Sequence, residues 1–149
     1  MALKDQLDAD LRAAMKEKDA LKLSVVRMLK SAIKYREIEV MKTLDDDGVQ
    51  AVIATEIKRR RDSVEQYRAG NRQDLVEKEE GEIRILQGYQ PEQLSAEALG
   101  AKVDEVIART GAKGMKDMGA VMKAVLAEVQ GRADGKTVSE LVKARLSGK

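Results

Sequence analysis

Neither histidine nor cysteine occurs in the 149 residues, so any chemistry falls to carboxylates, lysines, arginines and hydroxyls. That removes the usual proton shuttle, the thiol nucleophile and the nitrogen and sulfur metal ligands. Two acidic groupings remain: Glu79 with Glu80, and the run Asp45, Asp46, Asp47. A calcium loop of the EF-hand kind needs oxygen ligands at alternate positions and a distal glutamate. The aspartate run has neither, and reads as a solvated loop. The expectation is no catalytic constellation, no metal site and no cofactor.

The basic residues say more. In GAKGMKDMGAVMKAVLAEVQGRADGKT, Gly111 to Thr137, glycines and cations stand together at both ends. GRADGKT resembles a phosphate loop, but that motif places four residues between its glycines and Gly131 to Gly135 has three; no strand pattern precedes it either. GAKG matches the GxxG of a KH loop, whose fold requires strands that this segment does not offer. What survives is two turns, each delivering free backbone N–H groups of a helix N-terminus beside cations, an arrangement that favours phosphate by dipole and hydrogen bonding together. The candidate phosphate ligands are Lys113, Gly114 and Lys116 at one turn and Arg132, Gly135 and Lys136 at the other. Asp117 and Thr137, read as N-caps, would occupy some of the same donors. No aromatic residue follows Tyr89, so base stacking is not available to this segment and any contact would read backbone and shape. Gly119, inside the helix, is expected to permit close helix packing.

Charge is distributed to match. The whole chain carries 28 basic and 26 acidic residues, a formal charge of +2, without the broad excess of a protein that coats nucleic acid. Residues 1 to 91 hold 18 of each sign, whereas residues 111 to 149 hold 8 basic and 4 acidic side chains. A polyanion would meet the C-terminal segment. The absence of cysteine fits a reducing compartment, MALKDQLDAD has no apolar core of a signal peptide, and no run reaches membrane-spanning length. The expectation from these features is a cytoplasmic protein with no membrane partner.

The elements that must position these residues follow from periodicity. Leu3, Leu7, Leu11 and Met15 draw one helix stripe; Leu21, Val25, Met28, Leu29, Ala32, Ile33 and Tyr35 draw a second, with Asp19 as N-cap. A third helix carries Ile53, Ile57, Val64 and Tyr67, and a fourth Val76, Ile83 and Leu86. GYQPEQLS, around the single proline, marks a boundary. Beyond it come three short helices: one capped by Ser95 with Leu99, Val103, Val106 and Ile107 inward, one with Met118, Val121, Met122, Val125, Leu126 and Val129, and one with Val138, Leu141, Val142 and Leu146. Met115 is left open as an exposed contact, and Thr137 with Glu140 has capping-box spacing. The fold class expected is all-α, with a four-helix domain over 1–91 and a three-helix domain over 92–149.

The apolar seams of the third and fourth helices are interrupted by Arg60 and Arg61 and by Glu79 and Glu80. In an antiparallel hairpin turning at Gly70 and Asn71 these pairs face one another, which predicts a partly buried ion pair that sets helix register.

SVVRMLKSAIKYREIE, RDSVEQYRAGNRQDLVEKEEGEIRILQGYQPEQLS and GAKGMKDMGAVMKAVLAEVQGRADGKTV together resemble the YqeY proteins, whose C-terminal domain is similar to the tail of the B subunit of tRNA-dependent amidotransferase (GatB). Gln90 departs from the family, which usually has leucine before the proline, and Ala120 and Lys123 fall where its pattern varies. The resemblance implies an all-α protein of two helical domains with a three-helix tail that faces tRNA. The function implied is a non-catalytic tRNA-binding or RNA-binding accessory. The alternatives are a protein-interaction module of a tRNA-charging or amidotransferase assembly, and carbon-nitrogen ligation with glutamine as amido donor, which would need partner subunits to supply the chemistry.

Overall fold

The computed structural model describes residues 2–129 and 131–148. Among them are seven α-helices and no strand: α1 (Leu3–Glu17), α2 (Ala20–Val40), α3 (Asp46–Ala69), α4 (Gln73–Gln87), α5 (Ala96–Thr110), α6 (Met118–Val129) and α7 (Gly135–Leu146), with a short 3-10 turn, Met115–Asp117, leading into α6. The protein is all-α. Its contacts divide into two compact units, Met1–Gln90 and Pro91–Lys149.

In the first unit α3 and α4 form a long hairpin, and α1 and α2 pack upon it. Leu7, Val25, Val26, Leu29, Ile53, Val76 and Leu86 lie at its centre. Met15, expected inside, is 53% exposed, and Ala14 takes the inward place. Steps of four residues overshoot a helical turn by about 40° each, so three of them carry Met15 about 120° away from Leu3. Leu21, Met28 and Tyr35, also expected inside, share an outward stripe at seven-residue spacing, and Val26 is buried in their stead. The aspartates expected in a loop instead start α3. Asp45 is the N-cap and accepts the Gly48 N–H at 2.9 Å; Asp46 and Asp47 lie in the first turn, where negative charge meets the positive helix end. Asp46 also accepts the Leu3 N–H at 3.0 Å, tying α1 to α3.

Tyr89 closes this unit. Its hydroxyl donates to Asp10 Oδ2 at 2.5 Å and its carbonyl accepts Gln50 Nε2 at 2.6 Å. Burial and the neighbouring Asp10 carboxylate push the phenol pKa upward.

In the second unit Ser95 caps α5, its hydroxyl accepting the Ala98 N–H at 3.1 Å. The buried set is Leu99, Val103, Val106, Val121, Val125, Val129, Val138, Val142 and Leu146. Met118 and Met122 pack at its edge, whereas Leu126, expected inside, is 38% exposed beside the buried Val125.

Candidate nucleic-acid interface

The turn into α6 begins where Gly111 ends α5 with φ 69, its N–H bonded to Ile107 O. Lys113 follows, then Gly114 in extended backbone, then the 3-10 turn holding Lys116. Asp117 is not a cap on α6: its carboxylate turns back and accepts the Lys113 N–H at 2.9 Å, while its own N–H donates to Gly114 O at 2.9 Å. The turn is closed by its own aspartate, which uses one of the donors a phosphate would need. The Lys113 and Lys116 side chains stand exposed around it.

At the other turn Gly131 has φ 73, Asp134 holds the N-cap position, and Gly135, Lys136 and Thr137 are the first three residues of α7. The capping box expected at Thr137 and Glu140 is therefore displaced. The helix starts three residues earlier, with Asp134 in place of Thr137 at the cap, and the Thr137 hydroxyl instead donates toward Asp134 Oδ2 at 3.4 Å. Arg132 serves the fold: its Nε donates to Glu92 O at 3.0 Å and its carbonyl accepts the Leu94 N–H at 2.8 Å. Beside it Gln93 Nε2 donates to Gly131 O at 2.7 Å. Sequence reasoning missed this stitch between segment 92–94 and the GRADGK turn, because it joins residues about forty apart through backbone carbonyls, which leave no side-chain signature.

The six candidate residues do not converge on one point. Lys113, Gly114 and Lys116 lie before the start of α6; Arg132, Gly135 and Lys136 lie beyond its end. The twelve residues of α6 separate the groups by about 18 Å at 1.5 Å per residue. They are two contact points.

The electrostatics of the second unit sort its cations. Lys102 pairs with Glu105 and Glu128 at 3.4 and 3.5 Å, Arg109 pairs with Glu128 and with Glu105, and Arg145 Nε meets Asp104 at 2.8 Å. The Arg109 hydrogen bond, with Lys102 nearby, holds the Glu128 carboxyl below its usual range. Among the described residues no carboxylate side chain pairs with Lys113, Lys116 or Lys136.

The glycines divide in the same manner. Gly111 and Gly131 have positive φ and are required by turn geometry. A Cβ on Gly100 would meet Arg145 Nη2 at 3.2 Å, but one on Gly114, Gly119 or Gly135 would meet nothing within 4 Å. Close packing therefore does not explain Gly119, contrary to expectation; it is exposed on α6, between Lys116 and Lys123.

In the first unit Arg60 is buried, but its partners are Glu56 and Glu82, each 3.5 Å away, and Nη1 also donates to Glu56 O at 3.1 Å. Arg60 Nε has no hydrogen-bond partner, so its contact with Glu82 is Coulombic. Glu80 bonds the exposed Arg68 at 2.9 Å and lines a shallow hollow with Arg61 and Arg84. Glu79 is half-buried, and burial together with Glu82 raises its pKa while Arg60 and Lys78 pull the other way. The connection between α3 and α4 spans Gly70 to Arg72, which moves the hairpin centre toward α4 and brings Glu82 opposite Arg60. No group of three or more acidic residues capable of holding a metal ion occurs among the described residues, and none of their helices is long and apolar enough to cross a membrane.

The family described as Yqey-like protein matches residues 4–146. "Altered inheritance of mitochondria protein 41, mitochondrial" of Pyrenophora tritici-repentis is 31% identical over 141 residues, covering 92% of this chain and 77% of that relative. The proteins of the same name from Lachancea thermotolerans and Kluyveromyces lactis are each 42% identical, over 84 and 85 residues. Those stretches cover 56% of this chain and 45% and 46% of the two relatives, so the match spans less than half the length of either. These names overturn the cytoplasmic expectation, since the relatives are mitochondrial by name. The features behind it, no cysteine and no long apolar run, do not distinguish the cytoplasm from the interior of an organelle.

Proposed function

The chain belongs to the Yqey-like protein family, and on that footing we propose that it is a non-catalytic RNA-binding accessory protein whose C-terminal unit holds the phosphate backbone of a tRNA or another structured RNA. The observation that carries this reading is the sorting of cations. Lys102, Arg109 and Arg145 on the body of the second unit are neutralised by carboxylates, whereas Lys113, Lys116 and Lys136 flank the two ends of α6 without such partners among the described residues, as do Lys123 and Lys143 along the helices.

Two cationic points about 18 Å apart suit a phosphate backbone rather than one small anion. Gly119 lies on the exposed surface of α6 and leaves room for a close backbone approach. Asp117 and Asp134 within the turns oppose anions, which keeps the interaction weak and dependent on the lysines. With no aromatic residue in this unit, recognition is by shape and phosphate spacing, not by base identity.

The test is fluorescence anisotropy of labelled total tRNA against wild type and a Lys113, Lys116 and Lys136 triple alanine variant. Arg132 is kept because it holds the fold together. The wild type is expected to bind, with affinity falling roughly 20- to 40-fold between 50 and 200 mM salt for three phosphate contacts. The triple variant should melt normally and lose most binding. A wild type that does not bind at low salt, or a variant that binds as well, refutes the proposal.

A further inference from the structure

The buried guanidinium of Arg60 is poorly supplied with hydrogen-bond acceptors. Nη1 donates to Glu56 O at 3.1 Å, Nε has no hydrogen-bond partner, and the acceptor that Nη2 finds among the described residues is a sulfur, Met28 Sδ of α2, at 3.8 Å. Glu56 and Glu82 balance the charge from 3.5 Å without closing those hydrogen bonds. A thioether is a weak acceptor, and a buried donor left without a strong one costs free energy. Met28 also faces outward: it is 46% exposed, so a small oxidant in solvent reaches a residue whose sulfur lies against a buried cation. Met15, Met41 and Met115 are exposed as well, but among the described residues none of their sulfurs accepts a hydrogen bond.

We propose that Met28 is a site of reversible oxidation by a hydroperoxide, and that its sulfoxide fastens α2 to the α3–α4 hairpin through Arg60. With hydrogen peroxide, a sulfur lone pair attacks one peroxide oxygen, and the S–O bond forms as the O–O bond breaks. The proton on the transferred oxygen goes to the departing hydroxide, which leaves as water; the sulfur is oxidised by two electrons and the peroxide reduced by two. Sulfoxide reductases reverse the step. The product carries a polar oxygen where the thioether offered only sulfur. The three rotatable bonds of the side chain let that oxygen turn toward Nη2, and a hydrogen bond from a charged donor is roughly twice as strong as a neutral one. Oxidised methionines commonly disrupt packing, because a polar group replaces an apolar one. At Met28 the new oxygen meets an undersupplied donor, and the sign of the effect reverses. This concerns the first unit and does not rest on the nucleic-acid reading.

The test uses the full chain carrying Met15→Leu, Met41→Leu and Met115→Leu, so that Met28 is the exposed methionine that remains among the described residues. It is treated with dilute hydrogen peroxide, mapped by mass spectrometry and melted. Met28 should oxidise ahead of the half-buried Met118 and Met122, and the melting temperature should rise by about 4 °C or more. Adding Met28→Leu should abolish the rise. In a chain whose Glu56, Arg60 and Glu82 are all replaced by apolar residues, oxidation at Met28 should lower the melting temperature instead, since the oxygen then has no guanidinium to meet. Peroxide that leaves Met28 intact, a sulfoxide form that melts no higher than the untreated chain, or a rise that survives Met28→Leu or the loss of Arg60 overturns the proposal.

Discussion

The first unit buries Glu56, Arg60 and Glu82 among its apolar side chains, whereas the second, among its described residues, buries no charged group. The difference follows from what each core must specify. In the α3–α4 hairpin the Arg60 guanidinium meets Glu56 on its own helix and Glu82 across it, and we propose that this cross-helix contact sets the register. The second unit has three short helices, and its core is seven valines and two leucines, whose stiff side chains and glycine stops fix the arrangement without charge. Its ions remain on the surface, some paired and some available to a ligand.

The strongest way to break this comparison is Arg60→Met. It leaves Glu82 buried without its counterion and Glu56 with only the exposed Arg59, and urea denaturation should show a loss of about 3–5 kcal/mol. Replacing all three with apolar residues of similar volume should restore most of that stability, because the desolvation cost disappears with the charges. Additive losses would show that the cluster does not act as a unit. Next in size is Tyr89→Phe, which removes the hydroxyl bonded to Asp10 and should cost about 1.5–3 kcal/mol, the value of a hydrogen bond to a charged group. The same variant tests a pH effect. Because the folded phenol resists ionisation, its contribution is complete below the ordinary value near 10 and is lost as the unfolded chain ionises above it. Wild-type stability should therefore fall more steeply there than that of the variant.

A smaller effect separates glycines that serve the fold from one that does not. Gly119→Ala should stabilise by about 0.5–1 kcal/mol, since no neighbour obstructs the new methyl, and should weaken tRNA binding if close approach matters. Gly111→Ala, at φ 69, should instead destabilise. Smallest is Glu79→Gln, worth less than about 1 kcal/mol. A carboxyl whose folded pKa is raised contributes stability at low pH that is lost as pH rises through that pKa. Relative to the glutamine variant, wild-type melting temperature should thus decline from about pH 4 upward. An unchanged difference between the two across that range would show that Glu79 is solvated.

Much of this was legible in the chain. Asp19 and Ser95 announced their helices because an N-cap is a local event, settled within three residues. The burial of Val103, Val121 and Val142 followed from period alone. Met15, Met28 and Tyr35 were misplaced because a stripe read in steps of four or seven drifts around the helix, and only the neighbouring helices decide which edge of it is covered. Arg60 was singled out by interrupting an apolar seam. Its partners were read as Glu79 and Glu80 because the length of the α3–α4 connection, and so the centre of the hairpin, is not fixed by the helices themselves.

The sequence by itself determined the all-α class, the helix stops, the absence of histidine and cysteine chemistry and the segregation of positive charge after residue 110, because composition and local backbone preference depend on near neighbours only. Tertiary structure decided which carboxylate answers Arg60, that Arg132 braces segment 92–94, that Gly119 packs against nothing, and that the two glycine-lysine turns are separated by the length of α6. Those facts depend on distances between residues far apart in the chain, and such distances are fixed only when the helices pack.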